Sequence, residues 1–381
     1  MTAPLRILEL RSVRGTGGGP EKTILQGAAR TDPARFQITV CYLRDRRDPL
    51  FNIDQLAGKL AIDYVEIREK HSFDLRVWPA LCRLVRERQI ELVHAHDYKT
   101  DFLAYLLGRR QQITPLATAH GWTGMTWRER LYYRLDRKLL VRLPRVIAVS
   151  SAIRDDLLRA GARPEQVATV LNGIDAERFR RDPARMAAAR ARHGLRAGDV
   201  AIGAIARLEP EKRLDLLLDA FARVRRQHVH ARLLLAGAGS LRPALEAQAG
   251  KLGLGEACTF LGLVDDVIEL HHALDLFVQS SDYEGTSNSL LEALAMETPV
   301  VATDVGGTRE LVADGEHGLI VPPSAAAGLA AGIETALADR EAARERAVSA
   351  RARVERKLSF AARMQTVEEI YQQLGNGRCA K

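Results

Sequence analysis

The densest polar run of the chain is Ser280-Ser281-Asp282-Tyr283-Glu284-Gly285-Thr286-Ser287-Asn288-Ser289, which passes into Leu290-Leu291-Glu292-Ala293-Leu294-Ala295. Glu292 lies eight positions after Glu284, about 12 Å if the segment were wholly helical. Two acids so placed can engage opposite ends of an extended ligand, such as a sugar at one end and a ribose diol at the other. Upstream, Arg207-Leu208-Glu209-Pro210-Glu211-Lys212 opens a helical pattern that carries Leu214, Leu217 and Leu218. Arg207 and Lys212, beside a helix N-terminus, can neutralise a departing diphosphate without a metal ion; the same charges can also be plain surface charge on a helix start. Gly15-Thr16-Gly17-Gly18-Gly19 precedes a helical run from near Glu21. Backbone amides there can meet phosphate, or the glycines can simply make a tight turn, because Pro20 and the missing third glycine break the dinucleotide fingerprint. His120, in Thr118-Ala119-His120-Gly121-Trp122, is expected just beyond a strand end, where open α/β sheets place ligand groups; a single histidine reads equally as structural. His94 and His96 flank another strand end but show no third metal ligand in the sequence. No metal site is expected, and no Asp-x-Asp occurs anywhere. Cys41, Cys82, Cys258 and Cys379 lie far apart without CxxC spacing, which suggests neither a disulfide framework nor a zinc site.

These residues need a scaffold, and the hydrophobic pattern supplies one. Short apolar runs read as buried parallel strands at Leu5–Leu10, Ile38–Leu43, Leu92–Ala95, Leu116–Ala119 and Val146–Val149. After Asn172-Gly173-Ile174-Asp175 comes an Arg/Ala-rich stretch with Pro183. The pattern then restarts at Val200–Ile205, Arg232–Ala236, Thr259–Leu261, Leu276–Gln279, Val300–Ala302 and Gly318–Val321. Strands alternating with helices imply right-handed βαβ crossovers and a doubly wound sheet in each half. The expected fold class is therefore α/β, with two Rossmann-like domains facing across a cleft. Residues 1–172 form the first domain and 173–359 the second, while a final amphipathic helix within 360–381 packs back on the first.

A chain of 381 residues, 46% apolar and 27% charged, suits two globular domains without long disordered stretches. Met1–Leu10 lacks a cleavable small-residue site, and no run of roughly 18 apolar residues occurs, so a soluble cytoplasmic protein is expected. The net charge of +8 is uneven: residues 1–175 hold 29 Lys/Arg against 20 Asp/Glu, and the remainder 27 against 28. Such a surplus points to an anionic partner for the N-terminal half. Trp127–Arg145 concentrates it, interleaving Arg128, Arg130, Arg134, Arg137, Lys138, Arg142 and Arg145 with Trp127, Leu131, Tyr132, Tyr133, Leu135, Leu139, Leu140 and Leu143. This mixture suits peripheral contact with an anionic membrane, or a helix packed on its sheet with solvated arginines.

Taken in order, these motifs resemble glycosyltransferase family four, the retaining family with the GT-B fold. The most specific match is the pair Glu284 and Glu292 within Tyr283-Glu284-Gly285 to Leu291-Glu292-Ala293, followed by Pro299-Val300-Val301-Ala302-Thr303 and Gly306-Gly307-Thr308-Arg309-Glu310. Gly17-Gly18, His120-Gly121, Val149-Ser150, Asn172 to Asp175 and Arg207 to Lys212 support it. The resemblance implies that Gly17 and Gly18 approach a nucleotide-sugar donor, that His120 hydrogen-bonds the transferred sugar, and that Arg207 and Lys212 bind the diphosphate. It further implies that Glu284 contacts sugar hydroxyls, with Asn288 and Ser289 near sugar or phosphate, that Glu292 holds the ribose, and that Gly262 to Val264 border the base. Glu297 and Arg213 stand where the family often has glycine.

The expected activity is thus retaining, metal-independent transfer from a UDP-sugar, used as a substrate with no cofactor, to a glycan or lipid-linked acceptor in cell-surface polysaccharide or glycolipid synthesis. The expected place is the cytoplasm, at the inner face of the cell membrane. Competing readings are a basic membrane- or nucleic-acid-binding module without catalysis and an NAD-dependent oxidoreductase sharing the glycine-rich turn. The ordered motifs argue against both, and no nucleic-acid partner is expected.

Overall fold

The computed structural model describes residues 3–13, 19–49, 51, 53–71, 74–122 and 127–376, the side chains of 128 and 129 excepted. The chain divides into two compact units, Met1–Leu171 with Arg363–Lys381, and Asn172–Ala362. The expected α/β class with two Rossmann-like parallel sheets is what the structure contains.

The first unit holds seven strands, β1 (Leu5–Val13), β2 (Phe36–Asp45), β3 (Asp63–Glu69), β4 (Leu92–Ala95), β5 (Thr114–Ala119), β6 (Arg145–Ala148) and β7 (Val167–Thr169). All pair in parallel, in the order β3-β2-β1-β4-β5-β6-β7. Helices cover both faces of such a sheet, so its central strands are apolar throughout; all four residues of β4 are buried. Strand order reverses between β1 and β4, and a ligand crevice belongs beyond the C-terminal ends of those two strands. Across that pair Glu9 stands opposite His94. Asp97 ends the next turn as an N-cap, accepting from the amides of Lys99 and Thr100, and so starts the helix Tyr98–Gln111. The C-terminal helix seals the unit. Tyr371 is buried with its ring edge-on to Phe36 at 5.8 Å, and Arg35 meets Glu368 at 2.8 Å.

The second unit holds β8 (Val200–Ile205), β9 (Ala231–Ala236), β10 (Cys258–Gly262), β11 (Leu276–Gln279), β12 (Val300–Thr303) and β13 (Leu319–Val321), ordered β10-β9-β8-β11-β12-β13. In the helix Leu214–Val224 the side chains Leu214, Leu217, Leu218 and Phe221 follow the i, i+3, i+4, i+7 rule and are all buried in the core. Here the order reverses between β8 and β11. Asn172 belongs with this unit because its side-chain amide donates to the Thr286 carbonyl at 3.2 Å and to Asn288 at 3.1 Å. Phe360 likewise donates its amide to Ile174 at 2.8 Å.

Candidate active site

In the second unit the loops leaving β8 and β11 meet at the reversal point. Leu208, 1% exposed, anchors the first loop, and its amide donates to the Ala238 carbonyl at 2.9 Å. Gly237 closes this contact: at φ 136° it is in the region open to glycine, and a Cβ there would lie 1.8 Å from the Ala206 carbonyl oxygen. Lys212, at the end of that loop, puts Nζ 2.7 Å from Glu284 Oε1. The same oxygen accepts from Ser281 Oγ at 2.6 Å, while Ser280 Oγ donates to the Lys212 carbonyl at 2.8 Å and the Asp282 amide to the Glu211 carbonyl at 2.9 Å. The loop after β12 supports this arrangement from behind. Thr303 Oγ1 donates to the Ser281 carbonyl at 2.6 Å, and Gly306, at φ 49°, lets the backbone pass where a Cβ would fall 1.7 Å from the Glu284 carbonyl oxygen.

Lys212, Gln279, Ser280, Ser281, Glu284 and Ser289 line one cavity. A charge-assisted bond in so enclosed a place is strong, and both charges are compensated. The helix that follows begins only at Asn288, capped by Ser287, whose hydroxyl accepts from the Leu290 amide. Glu284 is therefore a loop residue, and the two-turn spacing to Glu292 does not apply: the polar residues 280–287 satisfy their backbone through side chains and turns instead of a helix. The first amides of the helix Asn288–Ala295 have no acceptor within the helix, and with its dipole they favour an anion at that end. Ser289 lies there beside Ser287 at 3.3 Å between hydroxyls. Glu292 is half-buried one turn further on.

Arg207 differs from Lys212. Its side chain is 65% exposed and ion-paired with Glu211, so the two cations do not flank one cavity in this state. Val264 is partly buried against the core group that includes Ala201, Leu234 and Leu270, leaving Leu263 as the exposed residue of that segment.

Glu297 and Arg213 both adopt left-handed backbone, at φ 51° and 47°. At Glu297 this is the turn that ends the helix Asn288–Ala295. The Thr298 amide reaches the Ala293 carbonyl at 2.9 Å and the Glu297 amide that of Leu294 at 3.3 Å, the Schellman pattern whose turning residue is usually glycine.

In the first unit His120 immediately follows β5 and is half-buried. Burial, then the charge of Arg11 and the neighbouring His96, Arg363 and His94, hold its imidazole well below the ordinary histidine value. Gly17 and Gly18 lie outside the described residues. Sequence reasoning missed Glu9, although a carboxylate inside an apolar strand is a signal in itself. Glu9, His94 and His96 are the grouping of described residues whose ligand-type atoms, all within 4.8 Å of one another, could surround an ion. Hydrogen bonds inside the cluster engage those atoms: Glu9 takes His96 Nε2 at 2.5 Å and the Tyr371 hydroxyl at 2.5 Å, and His94 Nε2 meets Thr118 at 2.7 Å.

The basic stretch forms the helix Trp127–Leu140. Leu140 and, beyond it, Leu143 are buried in the core, yet Trp127, Leu131, Tyr132 and Leu135 are exposed, as are Tyr98 and Phe102 of the helix Tyr98–Gln111. Tyr98 stacks on Tyr132 with centroids 5.8 Å apart. Trp122 Nε1 donates to Asp136 at 2.9 Å and fixes the helix from beneath. No helix among the described residues is long and apolar enough to cross a membrane.

Comparison with known proteins bears on the family and the fold. The family model described as glycosyl transferases group 1 matches residues 186–353, and that described as Glycosyltransferase Family 4 matches residues 17–178. Glycogen synthase of Mycobacterium tuberculosis is 30% identical over 342 residues, 85% of this chain and 78% of its own. Among solved structures, Anabaena Alr3699/HepE in complex with UDP-glucose aligns with a TM-score of 0.86 at 23% identity, over 97% of this chain and 100% of that one. Sucrose-phosphate synthase of Thermosynechococcus elongatus aligns at 0.83 and 22%, over 98% and 100%. At these identities the structural likeness speaks to the fold.

Proposed function

This chain belongs to the GT-B glycosyltransferases of group 1 and family 4, and we propose that it is a retaining, metal-independent hexosyltransferase whose donor is a UDP-sugar. Its acceptor is a glycan or a lipid-linked saccharide of cell-surface polysaccharide or glycolipid synthesis. The observation that carries this reading is the Lys212–Glu284 pair, set at the reversal point of the second sheet beside a helix N-terminus. The complex of Alr3699/HepE with UDP-glucose supports the choice of nucleotide.

An arriving diphosphate offers Lys212 phosphate oxygens in exchange for the Glu284 carboxylate. Glu284, released, accepts from sugar hydroxyls. Arg207 adds charge from the exposed side, Asn288 and Ser289 present donors at the helix start, Glu292 holds the ribose hydroxyls and Val264 borders the base. His120, Gly17 and Gly18 are further donor-binding residues in this reading. In the reaction the bond from the anomeric carbon to the β-phosphate oxygen breaks, the acceptor oxygen bonds to that carbon on the same face, and the acceptor proton passes to the leaving phosphate. Lys212 and Arg207 stabilise the charge that develops on that phosphate. The exposed apolar and basic face of the helix Trp127–Leu140 supports acceptor capture at an anionic membrane, with the enzyme working at the inner face of the cell membrane in this reading.

A thermal-shift panel of nucleoside diphosphates and their sugars tests this, since ligands that bind only the folded chain raise its melting temperature. UDP and UDP-sugars should stabilise most. Glu292→Ala should lose the UDP shift, and Glu284→Ala should keep it while losing transfer. No response to any nucleotide sugar would refute the reading.

A further inference from the structure

Next to β1 a hydrogen-bonded chain runs from Glu9 through His96 to His120, and the chemistry assigned to Lys212 and Glu284 does not account for it. Glu9 Oε2 lies 2.5 Å from His96 Nε2, and His96 Nδ1 lies 3.3 Å from His120 Nε2. The other oxygen of Glu9 accepts from the Tyr371 hydroxyl at 2.5 Å and faces His94 Nδ1 at 3.3 Å. His94 is itself fixed on its far side by Thr118 Oγ1 at 2.7 Å from Nε2.

A carboxylate can only accept, and a neutral imidazole has one N–H and one lone pair. His96 Nε2 must then carry the proton it gives to Glu9, which leaves the lone pair on His96 Nδ1. The proton between His96 and His120 therefore belongs to His120 Nε2, and the lone pair of His120 is left on Nδ1. We propose that Glu9, acting through His96, fixes this tautomer of His120, so that His120 meets the donor sugar as a hydrogen-bond acceptor from a hydroxyl and not as a donor to an oxygen. Glu9 and His96 are thus positioning residues, and the proposal rests on the reading of His120 as a sugar-binding group.

The charge states agree with this assignment. Burial opposes ionisation of Glu9, but the donors His94 and His96 outweigh it and hold the carboxyl well below its ordinary value. Burial, then His94, keep His96 neutral by bringing it down to about 4. Arg11, which donates to the His96 carbonyl at 2.6 Å, contributes to the depression of both His96 and His120.

The same geometry predicts what Glu9→Gln would do. Tyr371 donates to the Oε1 position, and His94 Nδ1, 2.8 Å from the Tyr371 hydroxyl oxygen, donates to that oxygen and so keeps the hydroxyl proton directed at Oε1. The amide oxygen therefore belongs there and the NH2 group turns to His96 Nε2. His96 Nε2 must then accept, its proton moves to Nδ1, and His120 Nε2 becomes the acceptor. The proton of His120 shifts to Nδ1 with the fold unchanged.

Long-range proton–nitrogen correlation spectra of the full chain, labelled with 15N-histidine and compared with His120→Gln to identify the signal, read the tautomer directly. In the wild type near neutral pH, a protonated Nε2 and a bare Nδ1 on His120 are expected; a proton on Nδ1, or on both nitrogens, overturns the proposal. In Glu9→Gln both His96 and His120 should exchange tautomers, and an unchanged His120 overturns the relay. With UDP-glucose as donor, kcat/KM for that variant should fall up to about tenfold, the cost of turning the sugar hydroxyl from donor to acceptor, with UDP affinity unchanged. Exchanged tautomers with undiminished kcat/KM would overturn the acceptor role of His120 toward the sugar while leaving the relay in place. Should Glu9→Gln fail to fold, the wild-type spectrum still decides.

Discussion

Lys212 Nζ and Glu284 Oε1 lie 2.7 Å apart although 72 residues separate them in the chain. Their side chains are only 16% and 10% exposed. The pair joins the loop after β8 to the loop after β11, and with Ser281 on the same carboxylate oxygen it stores a cation and an acceptor in mutual compensation. A diphosphate sugar would separate the two and use each.

Replacing Lys212 with Ala should lower turnover of a UDP-sugar by roughly a hundredfold or more, the usual loss when a preorganised charge at a leaving group is removed. The unliganded protein should also lose on the order of 1–3 kcal/mol, because Glu284 is left charged and largely enclosed. Steady-state kinetics and urea unfolding measure the two effects. Undiminished turnover would remove Lys212 from the leaving-group role.

Glu297→Gly should stabilise the chain by about 0.5–1 kcal/mol, since the side chain is strained in the left-handed turn that ends the helix Asn288–Ala295. Thermal unfolding should show a small rise with transfer activity unchanged. Arg213→Gly relieves similar backbone strain but deletes contacts to Asp215 at 3.1 Å and Asp282 at 2.5 Å, so it should gain less or lose.

The two sheets were legible because parallel strands buried on both faces read as apolar runs. β3 did not, since Asp63-Tyr64-Val65-Glu66-Ile67-Arg68-Glu69 is an edge strand whose polar residues interrupt the run, and β7 is only three residues long. At the site the sequence marks Glu284 and His120 as residues following strands. It does not mark the meeting of Lys212 with Glu284, which depends on two loops closing on each other through Gly306 and Thr303. Glu9 was hidden inside Leu5–Leu10, where the apolar neighbours dominate the pattern and only the sheet register reveals His94 opposite. The left-handed conformation of Glu297 was visible only as a departure from a usual glycine.

Asp101 and Asp136 are buried between the helices Tyr98–Gln111 and Trp127–Leu140. Burial, then Asp136 and Asp97, push the Asp101 carboxyl well above its ordinary value. A raised carboxyl favours folding while protonated, so its contribution is present below the unfolded value near 3.8 and is lost as pH rises toward the folded one. Asp101→Asn, which cannot ionise, should therefore be more stable than wild type near pH 8, with the advantage shrinking toward pH 4. Urea unfolding across that range checks it; an advantage that grows in acid would reverse the assignment.

The exposed Trp127, Leu131 and Leu135, interleaved with exposed Arg130, Arg134 and Lys138, should bind anionic vesicles reversibly. Each basic residue contributes about 1 kcal/mol at such a surface. Sedimentation should rise with the fraction of anionic lipid and fall with salt, and Arg130→Glu with Arg134→Glu should abolish it. Equal partitioning to neutral vesicles, or none to either kind, would assign the basic surplus to another anionic partner.

The central claim is transfer from a UDP-sugar with retention and without a metal ion. Proton NMR of UDP-glucose turnover in the presence of a chelator, with water as the slow acceptor, reports the anomer formed before the free sugar equilibrates. The account predicts that donor is consumed and that α-glucose appears first; β-glucose appearing first, or turnover only after a divalent ion is restored, would contradict it.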